Sequence, residues 1–196
     1  MNIKKESTGG GLRSLVGTRA FYKKVLLVAV PIMIQNGITN FVSLLDNIMV
    51  GQVGTEQMSG VAIANQLVFI FNLCIFGAVA GAGILGAQFY GSGNSEGVRD
   101  TFRFKLLFGV ILSAIFAVIF LTVGEPLIQQ FIHQGEGIGD LEATRSYGKA
   151  YLEVIVIGIL PFALTQCYSG TLRETGETVI PMIAGIIAVL VNLVFN

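Results

Sequence analysis

Asp46 lies inside an apolar run from Val25 to Val50, on a stripe that also holds Gln35, Asn36, Thr39, Asn40, Ser43 and Asn47. The series 35, 39, 43, 46 and 36, 40, 43, 47 advance by three or four residues, so one face of a helix is polar through much of its depth. Amides and hydroxyls on such a face commonly serve as interhelical glue, at about 0.6 kcal/mol per hydrogen bond. A carboxylate is different. At the centre of an apolar slab it costs roughly 2.5 to 3.5 kcal/mol to insert, less near an end, and is kept where it has a partner, a cavity or a proton. Asp46 is therefore the residue best placed to bind a cation or a proton.

Other polar groups reach a similar depth. Asn65 and Gln66 stand near one end of a second apolar run, and Asn192 and Asn196, four apart, share a face of the last one. With Asp46 they are expected to line a polar pocket that opens toward the outside. Gly77, Gly81, Gly83 and Gly86, with Ala78 and Ala82, are small residues at close helical spacing, which implies close packing of helix backbones rather than a pore. His133, the only histidine, has no second ligand nearby, so no metal site is expected. Gly91-Ser-Gly-Asn94 lacks the lysine of a phosphate-cradling loop, which argues against ATP-driven work by this chain. Cys74 and Cys167 both fall in apolar stretches and read as small core residues.

The elements that must hold these groups follow from composition. Of 196 residues, 53% are hydrophobic and 12% charged, with a mean hydropathy of +0.75. That excludes a soluble globular domain and leaves no basic surface for nucleic acid. The expected fold is an all-α polytopic membrane protein with five transmembrane helices, at about 25–50, 59–90, 104–123, 146–171 and from 179 onward, each long enough to cross the bilayer. Pro161 falls inside the fourth, and Pro181 in the first turn of the fifth, where its missing N–H costs little.

Charge orients the bundle. Lys4, Lys5, Arg13, Arg19, Lys23 and Lys24 precede the first helix, Arg99, Arg103 and Lys105 fall between the second and third, and Arg173 between the fourth and fifth, together ten of the 12 basic residues. The other links carry Glu56, Glu125, Glu136, Asp140 and Glu142 against Arg145 and Lys149. A cell-membrane protein with a cytoplasmic amino terminus is expected, residues 1–24 forming a basic cytoplasmic segment and 25–196 the helices. Five helices with no polar anchor after the last imply a piece of a longer chain.

Six stretches, in order, resemble one family: Pro31 and the polar stripe to Asp46-Asn-Ile-Met-Val-Gly51; Ala64-Asn-Gln66; Gln88-Phe-Tyr-Gly91 with Arg99; Tyr151-Leu152 with Gly158; Leu172-Arg-Glu-Thr-Gly-Glu-Thr178; and Pro181-Met182 leading to Asn192. From about Tyr22 onward the chain is similar to the multidrug and toxic compound extrusion (MATE) transporters. The resemblance implies helices 1 to 5 of a twelve-helix fold, most of an amino-terminal six-helix bundle, with the carboxy-terminal bundle of the same chain as its partner. It implies an antiporter, not an enzyme, with no cofactor. A proton or sodium gradient would drive export of amphipathic, often cationic small molecules across the lipid bilayer.

The same resemblance implies an ion-coupling site of Asp46 and Asn192, with Asn196 included beside them. Some members carry a second aspartate four residues on, where this chain has Asn196, which leaves Asp46 as the only membrane carboxylate there. Gln35, Thr39, Asn40, Ser43, Asn65 and Gln66 would line the substrate cavity, and Pro31 would let helix 1 bend around a neutralised Asp46. Two other readings stand beside this one. A lipid-linked saccharide flippase of the related exporter superfamily would need a more cationic cavity than Arg145 and Lys149 offer at the rim, and a non-transporting membrane subunit fits a five-helix product.

Overall fold

A computed structural model of the chain describes residues 17–134 and 140–195. It contains five helices: α1 (Arg19–Val53), α2 (Thr55–Gly91), α3 (Ser95–Gln134), α4 (Leu141–Glu174) and α5 (Val179–Phe195). Each of the first four is longer than the apolar run within it, and in α1, α3 and α4 a polar cap starts the helix ahead of that run. Thr18 Oγ1 accepts from Phe21 N at 3.3 Å, Asn94 Oδ1 from Gly97 N at 3.0 Å, and Asp140 Oδ1 from Glu142 N at 2.9 Å. These caps satisfy orphan N–H groups at the starts of α1, α3 and α4. The turn after α2 bends at Gly93 (φ 75°) and the turn after α4 at Gly176 (φ 87°), left-handed backbone that glycine adopts without strain.

Prolines 31, 126 and 161 lie inside α1, α3 and α4, none of which is interrupted there, and Pro181 sits in the first turn of α5 as its position predicted. Four of the helices are long and apolar enough to cross a membrane; α5, at 17 residues, is a shorter apolar helix within the described range.

Helices α2, α3 and α4 form the core. Phe71 and Ile75 from α2, Ile128 from α3, and Leu152 and Cys167 from α4 are fully buried, and Phe71 meets Phe116 edge to face at 5.3 Å. The backbones of α2 and α4 come together at Gly60 and Gly148, where a Cβ on Gly60 would lie 2.6 Å from Thr144 O. Small residues thus do the packing expected of them, but the positions differ. Gly83 and Gly86 make room for the Glu174 side chain, whereas a Cβ at Gly77 or Gly81 would meet nothing within 4 Å, so neither packs against a helix. Cys167 is a core residue whose thiol donates to Lys105 O at 3.3 Å, but Cys74 is exposed, because it lies on the outward face of α2.

Helices α1 and α5 pack mainly on each other and touch the core lightly, α1 on α2 and α5 on α4. Their backbones approach where Gly185 of α5 meets the Gln35 side chain of α1; a Cβ there would lie 2.9 Å from Gln35 Nε2. Large apolar side chains such as Phe69, Val154, Ile157 and Leu193 are exposed on the outside of the bundle. Lipid tails are as apolar as these side chains, so no hydrophobic force draws them inward. A cleft remains between the α1/α5 pair and the α2/α4 side of the core.

Candidate functional site

That cleft holds a cavity of about 630 Å³. From α1 it is lined by Gln35, Asn36, Thr39, Ser43 and Asp46, from α4 by Thr165, Gln166, Ser169 and Arg173, and from α5 by Gly185 and Asn192, with Phe76 and Phe162 as aromatic walls. The polar stripe of α1 therefore faces the cavity because α1 packs so little of itself against the core. Among the described lining residues Asp46 is the one carboxylate and Arg173 the one cation.

The two charges lie toward opposite ends of the cavity. Arg173 Nη2 donates to Gln35 Oε1 at 2.7 Å, and Gln35 precedes Asp46 by eleven residues, about 16 Å along a helix axis at 1.5 Å per residue. The Thr39 hydroxyl donates to Gln35 O at 3.0 Å within its own turn. The Asp46 carboxylate is near enough to the Tyr151 hydroxyl to act on it electrostatically, and that hydroxyl donates to Asn65 Oδ1 at 3.1 Å.

The residues singled out from sequence separate into groups. Gln35, Thr39, Ser43, Asp46 and Asn192 share the cavity. Asn40 is exposed and outside the lining, because a residue one step beyond Thr39 turns about 100° away. Asn65 and Gln66 are also exposed and outside it, Asn65 being held by Tyr151 across the α2/α4 contact. Pro31 lies on the uninterrupted α1, one residue before Ile32 enters the lining. Asn196, Glu136 and residues 1–16 fall outside the described residues.

Four lysines and arginines occupy places that their sequence positions did not reveal. Arg145 and Lys149 do not rim this cavity: both reach Glu125 of α3, at 3.7 and 2.8 Å. Lys105 is no loop charge but a fully buried side chain, its ammonium held by both carboxylate oxygens of Glu174 and by Thr171 Oγ1 at 3.3 Å. Arg173, placed by sequence in a link, lies in the last turn of α4 with its guanidinium at the cavity. The signal for it was available, since Gln166, Ser169 and Arg173 follow one another at steps of three and four on one helix face. Among the described residues no group of three or more histidine, cysteine, aspartate or glutamate side chains is arranged to hold a metal ion.

A family model described as MatE matches residues 31–196. A probable multidrug resistance protein NorM of Thermotoga maritima is 30% identical over 162 residues, which take in 82% of this chain and 33% of that protein. The multidrug resistance protein PmpM of Pseudomonas aeruginosa is 26% identical over 181 residues, 91% of this chain and 36% of that protein. The chain thus spans about a third of the length of these curated relatives. Among solved structures, a MOP superfamily transporter from Pyrococcus furiosus aligns with a TM-score of 0.71 at 21% identity, over 96% of this chain and 40% of that one. At that identity the likeness concerns the fold alone.

Proposed function

The chain belongs to the MatE family of membrane transporters, and from that premise we propose that it forms part of an antiporter in which a proton or sodium gradient drives export of amphipathic, often cationic compounds. The observation that carries this reading is the cavity between α1/α5 and α2/α4, with Asp46 as the one carboxylate among its described lining residues and Phe76 and Phe162 as flat apolar walls. An organic cation needs both features: a surface for its rings and a negative charge at low dielectric. A bound proton or sodium ion satisfies the same carboxylate, so coupling ion and substrate exclude one another there. Because α1 and α5 pack on each other more than on the core, the pair is the element that moves as occupancy of the cavity changes. Alternating access then takes the rest of a full-length protein, against which this bundle rocks.

The relatives named above as multidrug resistance proteins support the export of drug-like compounds. The direct test is efflux of a fluorescent organic cation from proteoliposomes carrying the full-length protein. Efflux is expected on imposing an inward proton or sodium gradient and not on imposing neither. Transport that ignores both gradients would rule out antiport.

In the membrane we place the amino terminus, the α2–α3 turn and the α4–α5 turn on the cytoplasmic side. Lys105 and Arg173 are occupied inside the protein, but Arg19, Lys23, Lys24, Arg99 and Arg103 still mark that side with positive charge. Single cysteines in a background without Cys74 and Cys167 decide it: an impermeant thiol reagent on intact cells should label position 142 and miss position 95. The reverse pattern inverts the orientation.

A further inference from the structure

We propose that the groove between the end of α3 and the start of α4 is a headgroup site for an aminophospholipid, phosphatidylethanolamine, with Glu153 receiving its ammonium. The groove shares no lining residue with the cavity between α1/α5 and α2/α4, and its occupation requires no transport.

The packing of the two helices sets its depth. A Cβ on Gly124 would lie 3.2 Å from Leu152 Cδ1 and one on Gly148 3.3 Å from Ile128 Cδ1, so position 124 is level with 152 and position 128 with 148. Glu153 is therefore level with the end of the apolar run at about 104–123, where hydrocarbon gives way to headgroups. The groove, of about 330 Å³, follows the same gradient: Phe120 and Leu121 wall the side toward the bilayer centre, and Glu125 and Lys149 the side toward water. A lipid, apolar at one end and charged at the other, has the same profile.

Glu153 has no answering charge within the protein. Lys149, one turn before it on α4, sends its ammonium across the groove to Glu125 at 2.8 Å, and Arg145 reaches Glu125 and Glu142 at 3.7 and 3.8 Å. Among the described residues no basic nitrogen lies within ion-pair distance of Glu153, which acts on Lys149 only at longer range. Two cations thus face three carboxylates, and the unanswered one is exposed nearest the hydrocarbon, where a bare carboxylate is costly.

A lipid ammonium supplies the missing charge. The ethanolamine head carries N–H donors for the Glu153 carboxylate, and its phosphate, a few bonds away, falls beside the N–H groups of Lys149 and Arg145 that Glu125 leaves unused. A choline head has no N–H to donate, and a glycerol head has no positive charge. A divalent cation fits less well, because the Lys149 ammonium already stands among the carboxylates and the apolar wall offers an ion no oxygen ligand.

Native mass spectrometry of the purified full-length protein tests this, with phosphatidylethanolamine, phosphatidylcholine and phosphatidylglycerol of identical acyl chains offered together in equal amounts. Bound phosphatidylethanolamine is expected to exceed phosphatidylcholine about fivefold, the upper end for a partly exposed charged contact. Singly and doubly N-methylated headgroups should fall between them, in the order of their remaining N–H groups. Glu153→Gln should remove the excess, whereas Glu96→Gln, at the opposite end of α3, should leave it unchanged. The methylation series uses the wild-type protein alone, so it decides the question if Glu153→Gln folds poorly. Equal binding of the ethanolamine and choline lipids, a preference for phosphatidylglycerol, or an ethanolamine preference that survives Glu153→Gln overturns the proposal. So does loss of the preference in excess magnesium, which would give the groove to a divalent cation.

Discussion

Replacing Lys105 with methionine while Glu174 stays in place is expected to destabilise the helix core by about 3 to 5 kcal/mol, the cost of stranding one member of a buried ion pair. The Lys105 side chain is 0% exposed and that of Glu174 15%, and the pair joins α3 to α4 with α2 pressed against the carboxylate through Gly83 and Gly86. Thr171 Oγ1, the other partner of the ammonium, gives the carboxylate no charge in return. The double variant Lys105→Met with Glu174→Gln should recover much of the loss, because two neutral side chains of similar volume carry little desolvation cost. Thermal unfolding of the purified full-length protein in detergent, followed through all four combinations, measures the coupling. A single Lys105→Met variant that melts with the wild type would show that the pair contributes nothing to holding the three helices together.

The effect should also reach the cavity. Glu174 and Arg173 are consecutive, so the turn of α4 that the ion pair fixes is the same turn that carries the guanidinium to Gln35. A loosened Lys105–Glu174 pair would let Arg173 leave the α1 stripe, and dye binding at the cavity should weaken along with the melting temperature.

How much of this is legible in the sequence depends on which physical signal each residue leaves. Hydropathy and helical period mark the helices and the polar face of α1, because both are local and repeat many times. The end of each apolar run underestimates its helix, since caps such as Asp140 and Asn94 extend a helix with polar residues that hydropathy counts as loop. Charge counting fails at Lys105 and Arg173 for a related reason: a tally of basic residues by segment cannot tell a solvated side chain from one folded back into the protein. Only the partner reveals that difference, and Glu174 lies 69 residues from Lys105 while Gln35 lies 138 from Arg173. Asn65 and Gln66 show the opposite error. Depth along the bilayer puts them near Asp46, but both are exposed on α2 outside the cavity lining, where Asn65 meets Tyr151 of α4. Depth is set by sequence position; azimuth is set by packing, which a sequence marks only where a polar stripe defines a face, as along α1 and, more briefly, at Gln166, Ser169 and Arg173 of α4.

Asp46→Asn is expected to abolish gradient-driven efflux while leaving insertion and folding intact. The substitution keeps the size of the side chain and most of its hydrogen-bonding capacity, so contacts that depend on shape or on a single hydrogen bond survive it. What it removes is the capacity to be charged in one state and neutral in another. In the cavity no other described lining residue supplies that change: Asn36, Asn192, Thr39 and Ser43 do not titrate, and Arg173 stays positive. If Asp46 couples the gradient, the amide variant is fixed in the neutral form, cannot exchange a proton or sodium ion for substrate, and should leave efflux at the level of protein-free liposomes. Binding gives the sign of the effect independently. In the wild-type protein, protons or sodium should weaken binding of a permanently charged organic cation, because each removes the negative charge the cation needs; in Asp46→Asn, binding should be weak and indifferent to both. If Asp46 only packs, the amide makes nearly the same contacts and transport should be close to unchanged. Efflux of the fluorescent cation from proteoliposomes, with the variant shown by size-exclusion chromatography to be folded, separates the two cases, and undiminished transport by a well-folded Asp46→Asn protein removes the carboxylate from the coupling mechanism.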